Sequence, residues 1–363
     1  RSCGIKTGES LREAYAKCPG LLIIHPDYDA YSYYTEKVKD IYRKYTDRVE
    51  SFGLDEAWLD LSASQALFTD GIHLAKQIQD EVFEKYGLKV SMGISFNKVF
   101  AKLASDLDKD RGFVVIDENH VKERIWPLPV SNLLMVGRHT TLKLEAMGIT
   151  TIGQLASTPH HILTRRFGKT GMELWQFANG LDQTPVQTTD HGRPVKSVGN
   201  SKTLIHDIEN FTQLYEVFRV LSESIAARLR RLGRQGSVLS IYLRGNDLHG
   251  MVRQVKLSRP TNIAKEILAS AFRLATRHFY FDIPLRSVGI AVSGLVSDEI
   301  DQLSLFETEQ DRPRQKALET VIETIRERYG ARSIGSASLL LDKELTDFDP
   351  LRMHTIHPVS FYK

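Results

Sequence analysis

The stretch Val49–Ser62, VESFGLDEAWLDLS, constrains this chain more than any other. Val49 to Phe52 reads as one short strand and Trp58 to Leu61 as the next. Gly53, Leu54 and two adjacent acids, Asp55 and Glu56, lie between them. Neighbouring side chains of a straight strand point to opposite faces, so consecutive acids converge only where the chain bends. Two carboxylates that close repel each other, and an unpaired charge is costly to bury. A divalent metal with oxygen ligands is the natural cation to sit between them. On the pair alone, a solvated turn with two surface acids is the commoner alternative.

The surrounding residues favour the metal. Ser51-Phe52-Gly53-Leu54-Asp55-Glu56-Ala57-Trp58-Leu59-Asp60 resembles the palm signature of the Y family of DNA polymerases, the lesion-bypass enzymes, in its DNA polymerase IV branch. Ser91-Met92-Gly93-Ile94-Ser95-Phe96-Asn97-Lys98, continuing through Ala101-Lys102-Leu103-Ala104-Ser105-Asp106, is a second match. In the family this strand-to-helix unit backs the metal site. The resemblance implies that Asp55 and Glu56 are catalytic and bind two magnesium ions, with Asp106 serving local structure. It also implies that Arg1, opening the fingers segment Arg1-Ser2-Cys3-Gly4-Ile5-Lys6-Thr7-Gly8, and Lys109 hold the triphosphate of the incoming nucleotide. A guanidinium offers phosphate a planar fork, and an ammonium offers a point charge. Lys109 reads equally as a lysine favoured by a helix C-terminus. The family has, further upstream, a first palm strand with a third metal-binding acid and an aromatic residue that rejects ribonucleotides. Neither is in this sequence, which reads as the larger part of such a polymerase without its extreme N-terminal palm strand.

Periodicity predicts a helix from Leu11 to Cys18, a short buried strand at Leu21–Ile24 and a helix over Tyr28–Tyr45. A helix over Gly71–Tyr86, a strand over Lys89–Ser95, a helix capped by Asn97 and a strand at Phe113–Ile116 follow. This order suits an α+β palm, ferredoxin-like by the resemblance. Val130–Ala156 resembles a helix–hairpin–helix module, in which Gly137 lets backbone amides reach a DNA phosphate without reading sequence. Met135 stands where many such hairpins have a first glycine; an ordinary helical pair is the alternative. Gly168-Lys169-Thr170 lacks the earlier glycine of a P-loop.

Gly180–Pro194 is polar, with Pro185, Gly192 and Pro194 and little periodicity, and reads as a linker. Beyond it, strands at 196–203, 237–243, 251–257 and 286–292 and helices at 211–232 and 263–279 give the order βαββαβ of the split ferredoxin-like fold. Residues 196–300 carry 15 Lys and Arg against 9 Asp and Glu, although the whole chain is only +3. Regional basicity is the footprint of a module that tracks phosphates, and equally of a solvated basic face. Arg228, Arg230, Arg231 and Arg234 supply much of it, and Lys196, Arg244 and Arg253 are the expected DNA contacts. Gln302-Leu303-Ser304-Leu305-Phe306 resembles the peptide that docks bacterial polymerases on the sliding clamp: a polar head, apolar anchors and flanking acids. A helix at Pro313–Tyr329 and a strand at Ser336–Leu341 complete the reading.

Two cysteines, Cys3 and Cys18, are too few for a disulfide framework or a zinc site, which fits a reducing cytoplasm. No apolar run has membrane-spanning length and no signal peptide is visible. The expectation is therefore an α+β multidomain monomer. Its parts are fingers (1–27), palm (28–117), helix–hairpin–helix thumb (118–180), linker (181–195), little finger (196–296), and a clamp-binding peptide with C-terminal extension (297–363). Its expected partners are primer–template DNA, deoxynucleoside triphosphates and the sliding clamp. Its expected work is error-prone DNA synthesis past damaged bases by two-metal nucleotidyl transfer. One alternative is a non-catalytic DNA- and clamp-binding fragment short of one metal acid. Another is a nucleotidyl cyclase on a similar palm.

Overall fold

A computed structural model describes residues 2–24, 26–63, 71–108, 112–188, 195–299 and 311–346. Those up to residue 188 form one compact unit and those from 195 to 346 a second.

The first unit opens with α1 (Leu11–Lys17), started by a capping box in which Ser10 and Glu13 satisfy each other's backbone amides. Leu21–Ile24 is not a strand: it is irregular, with Leu22 and Ile24 80% and 79% exposed. Four apolar residues in a row do not form a strand without a neighbouring ladder to satisfy their backbone groups. α2 (Tyr28–Tyr42) begins at Asp27, whose carboxylate accepts the Ala30 amide. β1 (Val49–Ser51) and β2 (Ala57–Leu59) then form an antiparallel hairpin. After α3 (Gly71–Tyr86), β3 (Met92–Ser95) leads into α4 (Lys98–Leu107), and β4 (Phe113–Ile116) returns parallel to β3. Asn97 caps α4 by accepting the Phe100 amide at 2.8 Å. Gly93 is required where β3 crosses α4, because a Cβ there would collide with the backbone of Ala101 and Ser105.

The helical part comprises α5 (Val121–Arg124), α6 (Arg138–Glu145), α7 (Ile152–Ser157), α8 (His160–Phe167) and α9 (Lys169–Ala178). One continuous apolar core joins it to α4: Val99, Phe100 and Leu103 pack with Leu133, Leu144, Ile152 and Leu174. α4 and these helices thus share one packed core, so strain in either is felt by the other.

The second unit holds β5 (Ser197–Ile208), α10 (Phe211–Arg231), β6 (Arg234–Gly245), β7 (Gly250–Thr261), α11 (Ala264–His278) and β8 (Leu285–Ser297). The antiparallel sheet runs β5-β8-β6-β7, so each βαβ pair is split by a strand from the other. Leu239, Ile241 and Leu243 of β6 face the two helices and are almost fully buried. α12 (Asp311–Tyr329) and α13 (Lys343–Thr346) belong to this unit, and Leu345 enters its core at 2% exposure. The strand expected at Ser336–Leu341 is instead a 3₁₀ turn over Ala337–Leu340. No helix among the described residues is long and apolar enough to cross a membrane.

Candidate active site

The acidic turn is built from the hairpin outward. Val49 pairs with Leu59, Glu50 with Trp58 and Ser51 with Ala57. The Phe52 amide donates to the Glu56 carbonyl at 2.8 Å, which closes the loop. Gly53 takes φ +88°, a conformation that side chains other than glycine's disfavour. Thr35 of α2 donates its hydroxyl to the Leu54 carbonyl at 2.6 Å and pins the tip. Asp55 is exposed and Glu56 is 39% exposed, so both carboxylates reach solvent.

α4 grips this hairpin twice. Lys98 reaches Glu50 of β1 at 2.6 Å, with both side chains almost fully buried. Its ammonium also lies 4.7 Å from the Trp58 ring centroid, and its carbonyl accepts the Trp58 indole at 2.9 Å. One helical turn on, Lys102 reaches Glu56 at 3.1 Å and Asp106 at 2.7 Å. Burial pulls the Lys102 ammonium down, but the carboxylates of Asp106 and Glu56 outweigh it and hold its pKa above the ordinary value. Residues four apart share a helix face, so the same face registers both ends of the hairpin. Sequence reading missed Lys98 and Lys102 as partners. The Asn97 cap, which fixes where α4 starts, was the signal that could have aligned them.

Asp55 and Glu56 offer hard oxygen donors in reach of water. Magnesium takes one or two carboxylates, keeps several waters and binds substrate phosphates, so the donor set suits it. Among the described residues no group of three or more His, Cys, Asp or Glu gathers to hold a metal. Arg1, Lys109 and the peptide Gln302, Leu303, Leu305 and Phe306 lie outside the described residues.

Gly137 is the N-cap of α6 and carries no side chain to satisfy the first amides of that helix. Met135, at the position many such hairpins give to glycine, takes φ +75° and so adopts the turn a glycine would make more easily. Beside it an opening of about 480 Å³ runs between the hairpin and the Lys102–Asp106 edge of α4.

In the second unit the β5 and β8 part of the sheet face away from the helices is made of small residues. Ser197, Gly199, Ser201 and Thr203 of β5 lie opposite Ser293, Ala291, Gly289 and Ser287 of β8. Ser240, Tyr242 and Arg244 of β6 continue the same face. Such a flat, hydroxyl-rich surface lets another backbone approach closely. Arg244 lies on this face, where its Nε donates to the Leu248 carbonyl at 3.0 Å. Arg253 does not: it pairs with Ile241, which faces the helices, so it sits on the other side at the sheet edge. Strand alternation thus puts these two arginines on opposite faces of the sheet. Lys196 is exposed immediately before β5. Arg230 and Arg231 are engaged within the unit. Glu319, Glu323 and Glu327 of α12 pair with them at 2.6–3.1 Å.

Comparison with known proteins adds the family context. Residues 1–106 match the impB/mucB/samB family, residues 195–305 its C-terminal domain, and residues 132–182 the thumb domain described for DNA polymerase iota. A DNA polymerase IV of Acetivibrio thermocellus is 41% identical over 94% of this chain and 86% of its own length. DNA polymerase IV 2 of Bacillus subtilis is 35% identical over 93% of this chain and 82% of its own. In fold, a Y-family DNA polymerase chimera superposes with a TM-score of 0.71 at 21% identity, covering 82% of this chain and 85% of that one. The insertion ternary complex of Dbh DNA polymerase gives 0.55 at 20% identity, again over 82% and 85%.

Proposed function

Since the chain belongs to the Y family of DNA polymerases, in its DNA polymerase IV branch, we propose that it extends a primer along a template past damaged bases. The observation that carries this reading is 41% identity across 94% of the chain to a relative named DNA polymerase IV. The turn geometry supports it: two solvent-reaching carboxylates are held at one bend by a helix behind them. Relatives so named favour neither the non-catalytic fragment nor the cyclase.

In this reading Asp55 and Glu56 are the protein's ligands for two magnesium ions. Bound there, the ions would lower the pKa of the primer hydroxyl and offset charge on the reacting phosphates. Lys102 keeps the Glu56 carboxylate aimed at the turn. Arg1 and Lys109 supply counter-charge to the triphosphate. The α6 amides beyond Gly137 meet a duplex phosphate, while Lys196 and Arg244 flank the small-residue sheet face that takes the DNA backbone. Gln302, Leu303, Leu305 and Phe306 dock on the sliding clamp, and the enzyme works in the cytoplasm as a monomer.

The test is primer extension on a primed template. Magnesium-dependent extension that falls at least about a thousandfold in Asp55→Ala is expected, the order that loss of electrostatic stabilisation at a reacting centre brings. Extension unchanged in Asp55→Ala would overturn the assignment. Salt-sensitive DNA retention without any extension by the unmutated chain would replace it with the non-catalytic reading.

A further inference from the structure

We propose that Lys102 and Asp106 set how tightly the acidic turn holds a divalent ion. Lys102 is a positioning residue that yields Glu56 to the ion and falls back on Asp106. This rests on the reading of Asp55 and Glu56 as metal ligands. The Lys102 ammonium stands 3.1 Å from Glu56 Oε1 and 2.7 Å from Asp106 Oδ2. A dication on Glu56 meets that ammonium at the same carboxylate, and like charges so close repel strongly where water is sparse. The Lys102 side chain is only 16% exposed, so solvent screens the repulsion poorly. The helix backbone cannot relieve it. Phe100 and Leu103, on either side of Lys102 in α4, are almost fully buried in the core shared with the helices that follow, which holds α4 against rotation. Only the lysine side chain can give way.

It has somewhere to go. Asp106 lies one helical turn on, on the same face, and already holds the ammonium at the shorter distance. The opening of about 480 Å³ beside Met135 is lined by both Lys102 and Asp106, so there is space for the swing on that side. An ammonium has three donors, which Asp106 and water can satisfy once it leaves Glu56. The Phe52 amide closes the turn on the Glu56 carbonyl at 2.8 Å, so the Glu56 backbone stays in place when the lysine moves. Removing the ammonium therefore tightens the site. Removing the carboxylate that draws it off loosens the site, because Lys102 is then left to Glu56. A lysine that only braced the turn would give the opposite result for the first change.

The experiment titrates the whole chain with Mn²⁺ alone, without DNA or nucleotide, and counts the free ion by electron paramagnetic resonance. Lys102→Met keeps the length of the side chain without its charge and should lower the Mn²⁺ Kd at least about threefold. Lys102→Gln should do the same, so the result does not hang on how one variant folds. Asp106→Asn should raise the Kd at least about threefold in the parent. In the Lys102→Met background it should change the Kd less than about twofold, because its action passes through the lysine. A Kd unchanged or raised in both Lys102 variants would overturn the proposal, and so would equal effects of Asp106→Asn in the two backgrounds. Asp55→Ala tests the reading beneath it separately. Loss of the Mn²⁺ site in that variant supports the ligand assignment whatever Lys102 does. A site untouched by Asp55→Ala would overturn the assignment and the proposal with it.

Discussion

Lys98→Met should destabilise the first unit by about 3–5 kcal/mol, because it takes the buried ammonium away from the buried Glu50 carboxylate. The magnitude follows from the surroundings. Lys98 and Glu50 are 4% and 6% exposed, so water cannot replace the lost ammonium. Glu50 keeps the Gln187 amide at 3.0 Å, a neutral donor that does not replace the full charge. The cation over Trp58 disappears as well, a contribution of up to about 2 kcal/mol where such contacts are desolvated. Met fills similar space, so little of the effect comes from a cavity. Adding Glu50→Gln removes the Glu50 charge, and the double variant should recover at least about 1.5 kcal/mol of the loss. Urea denaturation followed by tryptophan fluorescence reads this directly. All three tryptophans, Trp58, Trp126 and Trp175, lie in the first unit, so the signal ignores the second. A Lys98→Met loss below about 1 kcal/mol would refute the reasoning, since surface pairs are worth that much. Simple additivity of the two substitutions would refute it too.

In the second unit, Glu319 pairs with Arg230 at 2.8 Å and accepts the Ala264 amide at 2.9 Å, capping α11, whose own N-cap residue offers no side chain for the purpose. Glu319→Ala should lower thermal stability by about 1–3 kcal/mol, with faster amide exchange at the start of α11; unchanged exchange there would exclude the cap. Glu81 is held down to about 2 by the ammonium groups of Lys44 and Lys85 and the Tyr45 hydroxyl. A depressed carboxyl stabilises the fold above its ordinary pKa of 4.5 and loses that stabilisation as pH falls toward 2. The stability gap between the parent and Glu81→Gln should therefore narrow over that window in urea titrations, and a gap that stays constant would show that the carboxylate is not the cause. Leu305→Ala with Phe306→Ala should weaken sliding-clamp binding by roughly a hundredfold, as loss of peptide anchors does, without slowing unassisted primer extension. Equal loss of both would rule out a docking role.

The legible parts of this fold were those whose signal is local. α3 over Gly71–Tyr86 and β4 over Phe113–Ile116 follow from apolar spacing, and Asn97 announces α4 by its cap. The order βαββαβ was readable for the same reason, because each element has its own period. What escaped was pairing across distance. Glu319, Glu323 and Glu327 recur every four residues and look like a solvated helix face; only tertiary folding sets Arg230 and Arg231 opposite them. Apolar runs misled where they were too short to have a period. Leu21–Ile24 lies open, and Ser336–Leu341 contains a 3₁₀ turn rather than a strand. At the site, the turn and its two acids were visible. The faces of Arg244 and Arg253 were not, since they depend on the register in which β6 meets β7.

The two lysines of α4 show how one helix can serve a rigid need and an exchangeable one. Lys98 and Glu50 are buried, and separating them leaves a charge without solvent, so that end of the hairpin is fixed. Lys102 and Glu56 are 16% and 39% exposed, and water can share in their pairing. A pair of that kind is worth little, so another cation can take Glu56 at small cost. Lys102 does not lose its partner altogether when that happens, because Asp106 stands four residues on at 2.7 Å. The gradient from buried to exposed along a single helical turn therefore lets the acidic turn stay in register while its outermost carboxylate changes partners. Moving either lysine by one residue would break this, since the helix would then present the ammonium to a different face.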